Sequence, residues 1–289
     1  MNKKLTVFTA FSGYDAQLLA LERLKRDYKI EYECVGWADI DRNAIKAHDA
    51  LFPELSGKNF GDISQIDWST VQDFELLTYS SPCQDISKAG KKKGLDEGSQ
   101  TRSSLLWEVE RCLIEKRPRF AIMENVANLI SYRFVENLRK WTRRLEKLGY
   151  TNYVRKLNSR VYGVPQQRER VFVVSILDDA FHYYYPAPFT LRKEVRDCLE
   201  KNVSEKYRLD QSAVQKITKV KDGRLYVKEA NKEGWDFVQE RSIFDITYQT
   251  SNTRRGRVIQ QGKVCPTLTC KANGNMVVFE EIIEQEGRQ

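Results

Sequence analysis

Two apolar runs in this chain each end in a group that can do chemistry. The first, Leu76-Leu77-Thr78-Tyr79, passes through Ser80-Ser81-Pro82 to a thiol at Cys83 and an amide at Gln84. Proline has no N–H for a sheet ladder and biases the residue before it towards extended backbone, so a strand must stop there and leave Cys83 at its carboxyl end. The second run, Phe120-Ala121-Ile122-Met123, delivers a carboxylate at Glu124, followed by Asn125 and Val126. A lone cysteine is more often a small buried hydrophobe, and a lone strand-end glutamate more often a solvated loop acid. Two strands that each end in a reactive group make both bland readings less attractive. A thiol and a carboxylate with no histidine in the motif suit a protease poorly, because the usual imidazole base is missing. They suit addition of a thiolate to an electron-poor ring, with the acid stabilising the charge that develops.

The elements that must position these groups can be read in order. Leu5 to Phe11 is a short apolar, β-branched run, then Ser12-Gly13-Tyr14-Asp15 reads as a tight turn before a helical pattern from Ala16. Glycine there lets backbone approach a ligand, and the helix N-terminus behind it offers free N–H groups. Tyr32 to Ala38 reads as the next strand, ending at Asp39-Ile40-Asp41. An acid at the end of the second strand of a βαβ unit can hold ribose hydroxyls, which suits Asp39, whereas Asp41 reads as a helix N-cap. Asp62, after a short extended segment, could offer a polar contact to an adenine edge. The polar, basic, glycine-punctuated run from Asp85 to Gln100, which includes Ser87, predicts a mobile loop. Helices are predicted over about 104–116 and 133–147, a strand over 151–157, and a further strand from Val171 after Gln167-Arg168-Glu169-Arg170. Strands alternating with helices predict an α/β fold with a doubly wound, mostly parallel sheet. The texture changes after Pro188, predicting a catalytic domain over 1–188 and a small mixed domain over 189–289 that contains the basic stretch around Arg257.

The chain has 289 residues, and Lys+Arg 48 against Asp+Glu 40 gives a net charge of +8, a balance that fits a polyanionic partner. Cys34, Cys83, Cys112, Cys198, Cys265 and Cys270 form no Cys-x-x-Cys pair, and with two histidines this argues against a metal site or a disulfide framework. No run is long and apolar enough for a signal peptide or membrane span, so a soluble, cytoplasmic protein is expected.

Pro-Cys-Gln at 82–84, Glu-Asn-Val at 124–126 and Gln-x-Arg-x-Arg at 166–170, in that order, resemble the C5-cytosine DNA methyltransferases of bacterial and phage restriction systems. The resemblance runs from about residue 5 to 279. It implies a Rossmann-like domain that binds S-adenosylmethionine and methylates carbon 5 of a cytosine flipped out of duplex DNA through a covalent cysteine adduct. It implies Cys83 as nucleophile, Glu124 as the acid at the ring, and Arg168 and Arg170 positioning the base and the carboxylate. It implies Phe11, Ser12 and Gly13 lining the cofactor site, with Asp39 on its ribose, Ile40 against its adenine and Asp62 at the adenine amino group. Gln84, Ser87 and Arg257 would meet DNA, and residues 189–255 would read bases from the major groove.

The chain departs from that family in two places. Asp15 stands where the family usually has a second glycine. Gly274-Asn275-Met276-Val277-Val278 resembles the family's last motif but follows Thr269 too closely for the usual intervening helix, so it is expected to be a strand of the small domain, with the true segment absent or supplied by a second chain. The protein is otherwise expected to be a monomer. A catalytically incomplete DNA-binding remnant, or a split-enzyme subunit, is the competing reading. An RNA-modifying branch of the same family is a third, disfavoured by the size of the 189–255 segment.

Overall fold

In the computed structural model, residues 4–82, 102–178, 180, 182–198 and 204, and thereafter the short segments 218–221, 224–228, 235–237, 243–246, 257–259, 265–266 and 275–278, are described. The element order is β1 (Leu5–Ala10), α1 (Ala16–Tyr28), β2 (Tyr32–Ala38), α2 (Arg42–Leu51), β3 (Leu76–Tyr79), α3 (Glu108–Lys116), β4 (Phe120–Val126), α4 (Val135–Lys147), β5 (Thr151–Asn158), β6 (Gln166–Gln167) and β7 (Glu169–Ile176). Seven short strands follow, β8 (Thr218–Lys221), β9 (Arg224–Lys228), β10 (Trp235–Phe237), β11 (Ile243–Ile246), β12 (Arg257–Ile259), β13 (Cys265–Pro266) and β14 (Asn275–Val278).

Six strands form one sheet in the order β2-β1-β3-β4-β7-β5. The pairs β1–β2, β1–β3 and β3–β4 are parallel, and β4–β7 is antiparallel. This is a mostly parallel, helix-covered sheet, as the alternation of strands and helices predicts. Side chains alternate across the sheet. Val7 and Leu76 face one apolar cluster with Leu18 and Leu21 of α1, while Phe8 and Leu77 face another with Val109 and Leu113 of α3 and Leu138 and Trp141 of α4. Both faces are therefore buried, which is why β3 reads Leu-Leu-Thr-Tyr with all four residues inside.

Helix α4 is a good example of the rule that packing, not propensity, holds a helix in place. Its sequence is charged on the outside, with Leu138, Trp141 and Leu145 buried at helical spacing. Trp141 donates its indole N–H to the Tyr79 hydroxyl at 3.1 Å. The bond satisfies a donor in a site where both residues are buried, Trp141 at 0% and Tyr79 at 1% exposure. It also ties α4 to the strand that leads towards Cys83.

The chain separates into two compact units, one made of Met1–Leu157 with Glu169–Pro186, the other of Asn158–Arg168 with Ala187–Gln289. In the second unit β8, β9 and β10 form one antiparallel sheet, β12, β11 and β14 another, and β6 pairs in parallel with β13. The segment 275–278 thus lies in the second unit as β14, opposite β11.

Replacing Tyr79 with Phe leaves the Trp141 donor buried and unpaired, so stability to urea should fall by roughly 1–3 kcal/mol. An unchanged midpoint would mean that the bond adds nothing to the α4–β3 contact.

Candidate active site

Parallel strands send their carboxyl ends to one edge of the sheet, and the candidate residues collect there because of it. Beyond Ala10 of β1 comes the turn 11–15, beyond Ala38 of β2 comes Asp39, beyond Tyr79 of β3 comes Ser80-Ser81-Pro82, and at the end of β4 come Glu124 and Asn125. Because β7 runs the other way, its first residues reach the same edge, and Arg170 lies opposite Val126 in the register. Glu124 and Val126 share a face of β4, so Arg170 meets Glu124 on the diagonal. Arg170 Nε and Glu124 Oε1 form an ion pair at 2.8 Å, with side-chain exposures of 18% and 23%. The Arg170 guanidinium also donates to its neighbour's carbonyl, Glu169 O, at 2.7 Å. A half-buried carboxylate is thus oriented by a charge-assisted bond on a rigid ladder.

Cys83, Gln84 and Ser87 lie outside the described residues. The chain that leads to Cys83 is described as far as Pro82, and it is fixed on the β4 side. Asn125 Nδ2 donates to Ser81 O and to Ser81 Oγ, each at 3.2 Å, while its own Oδ1 accepts from Val126 N at 2.8 Å. Among the described cysteines, Cys34 and Cys112 are inert core groups, since burial pushes the Cys34 thiol up to about 12 and raises that of Cys112 further.

The turn after β1 is unusual backbone. Phe11, Gly13 and Asp15 have φ of 54°, 60° and 63°. Glycine adopts this region freely, but Phe11 and Asp15 do so at a cost. Asp15 is fully buried and earns its place with its side chain. Oδ1 accepts from Leu18 N at 3.1 Å and so caps α1, and Oδ2 accepts from Thr9 Oγ1 at 2.6 Å. His48, stacked on Trp37 with ring centroids 3.7 Å apart, brings Nε2 within 3.6 Å of Asp15 Oδ2. Thr9 Oγ1 also lies 3.0 Å from Ser12 Oγ, and Ser12 N donates to Ala38 O at 3.2 Å. The aspartate in the glycine position is therefore built into the wall under the turn rather than intruding above it.

Asp39 holds the turn from the other side. Its Oδ2 accepts from Gly13 N at 2.8 Å and its Oδ1 from Asp41 N at 2.8 Å. Each oxygen keeps a lone pair, so the carboxylate can still receive ligand hydroxyls. Asp41 caps α2 by accepting from Asn43 N and Ala44 N, as its position predicts. Ile40 is 66% exposed, an apolar surface next to a carboxylate. Asp62 is exposed and accepts from Ser64 N and Ser64 Oγ through Oδ1. A Cβ built on Gly13 meets nothing within 4 Å, so the space above the turn is open. A carboxylate with lone pairs to spare, an exposed isoleucine and an open backbone turn together present an acceptor, an apolar surface and room, a combination compatible with an adenosyl group.

Asn59 and Arg111 organise this corner without any motif to announce them. Asn59 Oδ1 accepts from Asp39 N at 3.2 Å and Gly61 N at 2.9 Å, and Asn59 Nδ2 donates to Asp39 O at 3.0 Å. Arg111 of α3 donates to Ile63 O at 3.0 Å and to Ser64 O at 3.2 Å, which pins the segment after Asp62.

Arg168 belongs to the second unit, where its carbonyl accepts from Ser159 N at 3.0 Å, so it and Arg170 sit in different units. Arg257 begins β12 opposite Asp245 of β11. Among the described residues no group of three or more His, Cys, Asp or Glu is placed to hold a metal ion. Nor, among them, is any helix long and apolar enough to cross a membrane.

Residues 5–286 match the C-5 cytosine-specific DNA methylase family. The chain belongs to that family. It is 36% identical over 261 residues to the type II methyltransferase M2.ScrFI of Lactococcus lactis subsp. cremoris, covering 73% of this chain and 71% of the relative. It is 32% identical over 303 residues to the orphan methyltransferase M.SssI of Spiroplasma monobiae, covering 84% and 77%. Among solved structures it resembles the Entamoeba histolytica methyltransferase EhMeth, with a TM-score of 0.60 and 20% identity, covering 74% of this chain and 65% of that one. It also resembles a mutant DNMT2 of Spodoptera frugiperda, with a TM-score of 0.58 and 20% identity, covering 75% and 66%. The chain therefore spans just under two thirds of the length of those two structures, and the likeness to them is one of fold.

Two substitutions at Asp15 separate its cap from its backbone. Asp15→Ala should lower stability by roughly 1–2 kcal/mol through lost capping, since the left-handed strain is already present with aspartate, and Asp15→Gly by about 1 kcal/mol less because glycine relieves that strain. Urea denaturation of both variants is the measurement, and equal losses would show that the left-handed backbone carries no cost.

Proposed function

We propose that this chain methylates carbon 5 of a cytosine in duplex DNA by covalent catalysis, with Cys83 as nucleophile and Glu124 as the acid at the ring. The observation that carries the reading is the Glu124–Arg170 pair at 2.8 Å, on the same sheet edge as the Ser81 anchor two residues before Cys83. Carbon 5 of cytosine is too weak a nucleophile to take a methyl group unaided. Addition of the Cys83 thiolate to carbon 6 forms a carbon–sulfur bond and moves the ring's π electrons towards carbon 5 and N3, where Glu124, as the carboxylic acid, gives N3 a proton. Carbon 5 is then enamine-like and nucleophilic. Once it carries the methyl group, loss of the carbon 5 proton to water, return of the N3 proton to Glu124 and expulsion of the Cys83 thiolate restore the aromatic ring.

S-adenosylmethionine, when bound, supplies a methyl group made electrophilic by its sulfonium. Asp39 would hold its ribose hydroxyls, Ile40 would pack on its adenine, Asp62 would face the adenine amino group, and Phe11, Ser12 and Gly13 would line the turn beside it. Arg170 keeps the Glu124 carboxylate aimed, and Arg168 would position the base. The target base must leave its stack to be reached, which calls for contacts from Gln84 and Ser87 around the extruded base and from Arg257 and the second unit on the duplex. The net charge of +8 favours such a polyanionic substrate.

A duplex containing 5-fluorocytosine tests the chemistry, because fluorine cannot leave as a proton does and the adduct stays trapped. Wild-type protein with S-adenosylmethionine should be captured covalently, and Cys83→Ala should not be, while binding the duplex with little change. Capture of the alanine variant would remove Cys83 from the mechanism. Glu124→Gln should slow turnover by about 10²–10³-fold. Arg170→Ala should slow it roughly 10–100-fold through misplacement of that carboxylate.

A further inference from the structure

The reaction needs two groups to address neighbouring atoms of one ring, the thiolate at carbon 6 and the methyl donor at carbon 5. In this fold they depend on different strands, since the donor's turn follows β1 and the nucleophile follows β3. The β1–β3 ladder carries their relative position only as far as the pair Ala10 and Tyr79. Past that pair the chain is held by bonds from either side. On the β4 side Asn125 takes Ser81. On the β1 side Ser80 N donates to Ala10 O at 3.3 Å, and Gln17 Nε2 donates to Ser80 Oγ at 3.0 Å.

Gln17 is the second residue of α1, two residues beyond Asp15, which caps that helix and closes the donor's turn. Its amide therefore joins the helix that fixes the turn to a residue three positions before Cys83. We propose that Gln17 is a positioning residue that couples the methyl-donor turn to the nucleophile's strand end, acting through Ser80 rather than touching substrate. An amide on a helix can do this where a ladder cannot, because Pro82 ends the possibility of further strand pairing. The bond is half-buried, so its loss leaves no orphaned group in a dry core. Its effect should fall on alignment rather than on folding, since small misplacements in a bimolecular transfer are costly in rate. This inference rests on the covalent reading of Cys83 given above.

The test uses the full chain, its cofactor and an unmodified duplex substrate. Gln17→Leu keeps the helix, because leucine has a helix propensity close to that of glutamine, and Ser80→Ala removes the acceptor. Two reactions are read in each variant. Methyl transfer needs both groups aligned, whereas exchange of the carbon 5 hydrogen with solvent in the absence of cofactor needs only thiolate addition. The expected result is that each variant loses about 10-fold in methyl transfer while hydrogen exchange, cofactor affinity and melting temperature stay within about twofold or a few degrees of wild type. The double variant should lose no more than either single one, the sign of a shared interaction. Unchanged methyl transfer in Gln17→Leu overturns the proposal. So does a parallel loss of exchange, affinity and melting temperature, which would make Gln17 an ordinary structural contact. Wild-type protein that neither methylates nor exchanges would instead overturn the covalent reading, and the coupling with it.

Discussion

A parallel ladder has a direction, and everything at this site follows from it. Hydrogen bonding β2, β1, β3 and β4 side by side in one sense obliges their carboxyl ends to meet at one edge. The residues gathered there come from positions 11–15, 39–41, 80–82 and 124–126, far apart in sequence. One strand breaks the pattern, and it does so usefully. The antiparallel β7 brings its beginning, not its end, to that edge, so the guanidinium of Arg170 arrives beside Glu124. A parallel strand in the same place would have put Arg170 at the opposite edge of the sheet.

Ladders stop at the edge, however, and the turns just past them have no strand partner. Here side chains take over the work of the backbone. Asp39 accepts from Gly13 N, Asn59 spans Asp39 and Gly61, Asp15 caps α1, and Asn125 clasps Ser81. Each is a short acid or amide bonded to backbone or to a nearby hydroxyl. Such residues can satisfy the polar groups of an irregular loop without demanding a regular partner. They also explain how the turn bears two non-glycine residues with left-handed backbone. The strain at Asp15 is offset by a helix cap and a buried bond to Thr9, both of which require the aspartate side chain.

The strands were legible in the sequence because their burial imposes a pattern. β2 was readable at its limits, and β3 and β4 as apolar runs, since a sheet covered on both faces tolerates little else. Asp41 was readable as a cap because capping is local, set by two N–H groups within three residues. The helix expected from about residue 104 begins instead as a tighter 3-10 turn over Arg102–Trp107 before α3 proper. Propensity does not distinguish the two, because both satisfy the same apolar spacing over one turn. Asn59, Arg111, His48 and Gln17 were not legible at all. Their roles depend on partners 20 to 63 residues away, and a polar side chain in a loop or on a helix surface looks the same with or without such a partner.

That difference bears on how the family should be read at Asp15. A pattern of glycines records where a backbone must turn, not how the turn is supported from beneath. Glycine in the left-handed region needs no compensation, so a chain that keeps it can leave the space below the turn to other packing. A chain with aspartate there must bury a carboxylate, and burial of a carboxylate is tolerated only with bonded partners. Thr9 on β1, Leu18 N on α1 and the imidazole of His48 on α2 surround it. They come from three separate elements, so the substitution is one part of a set rather than an isolated loss. The turn after β1 and the packing of α1 and α2 against the sheet are, in this chain, one construction.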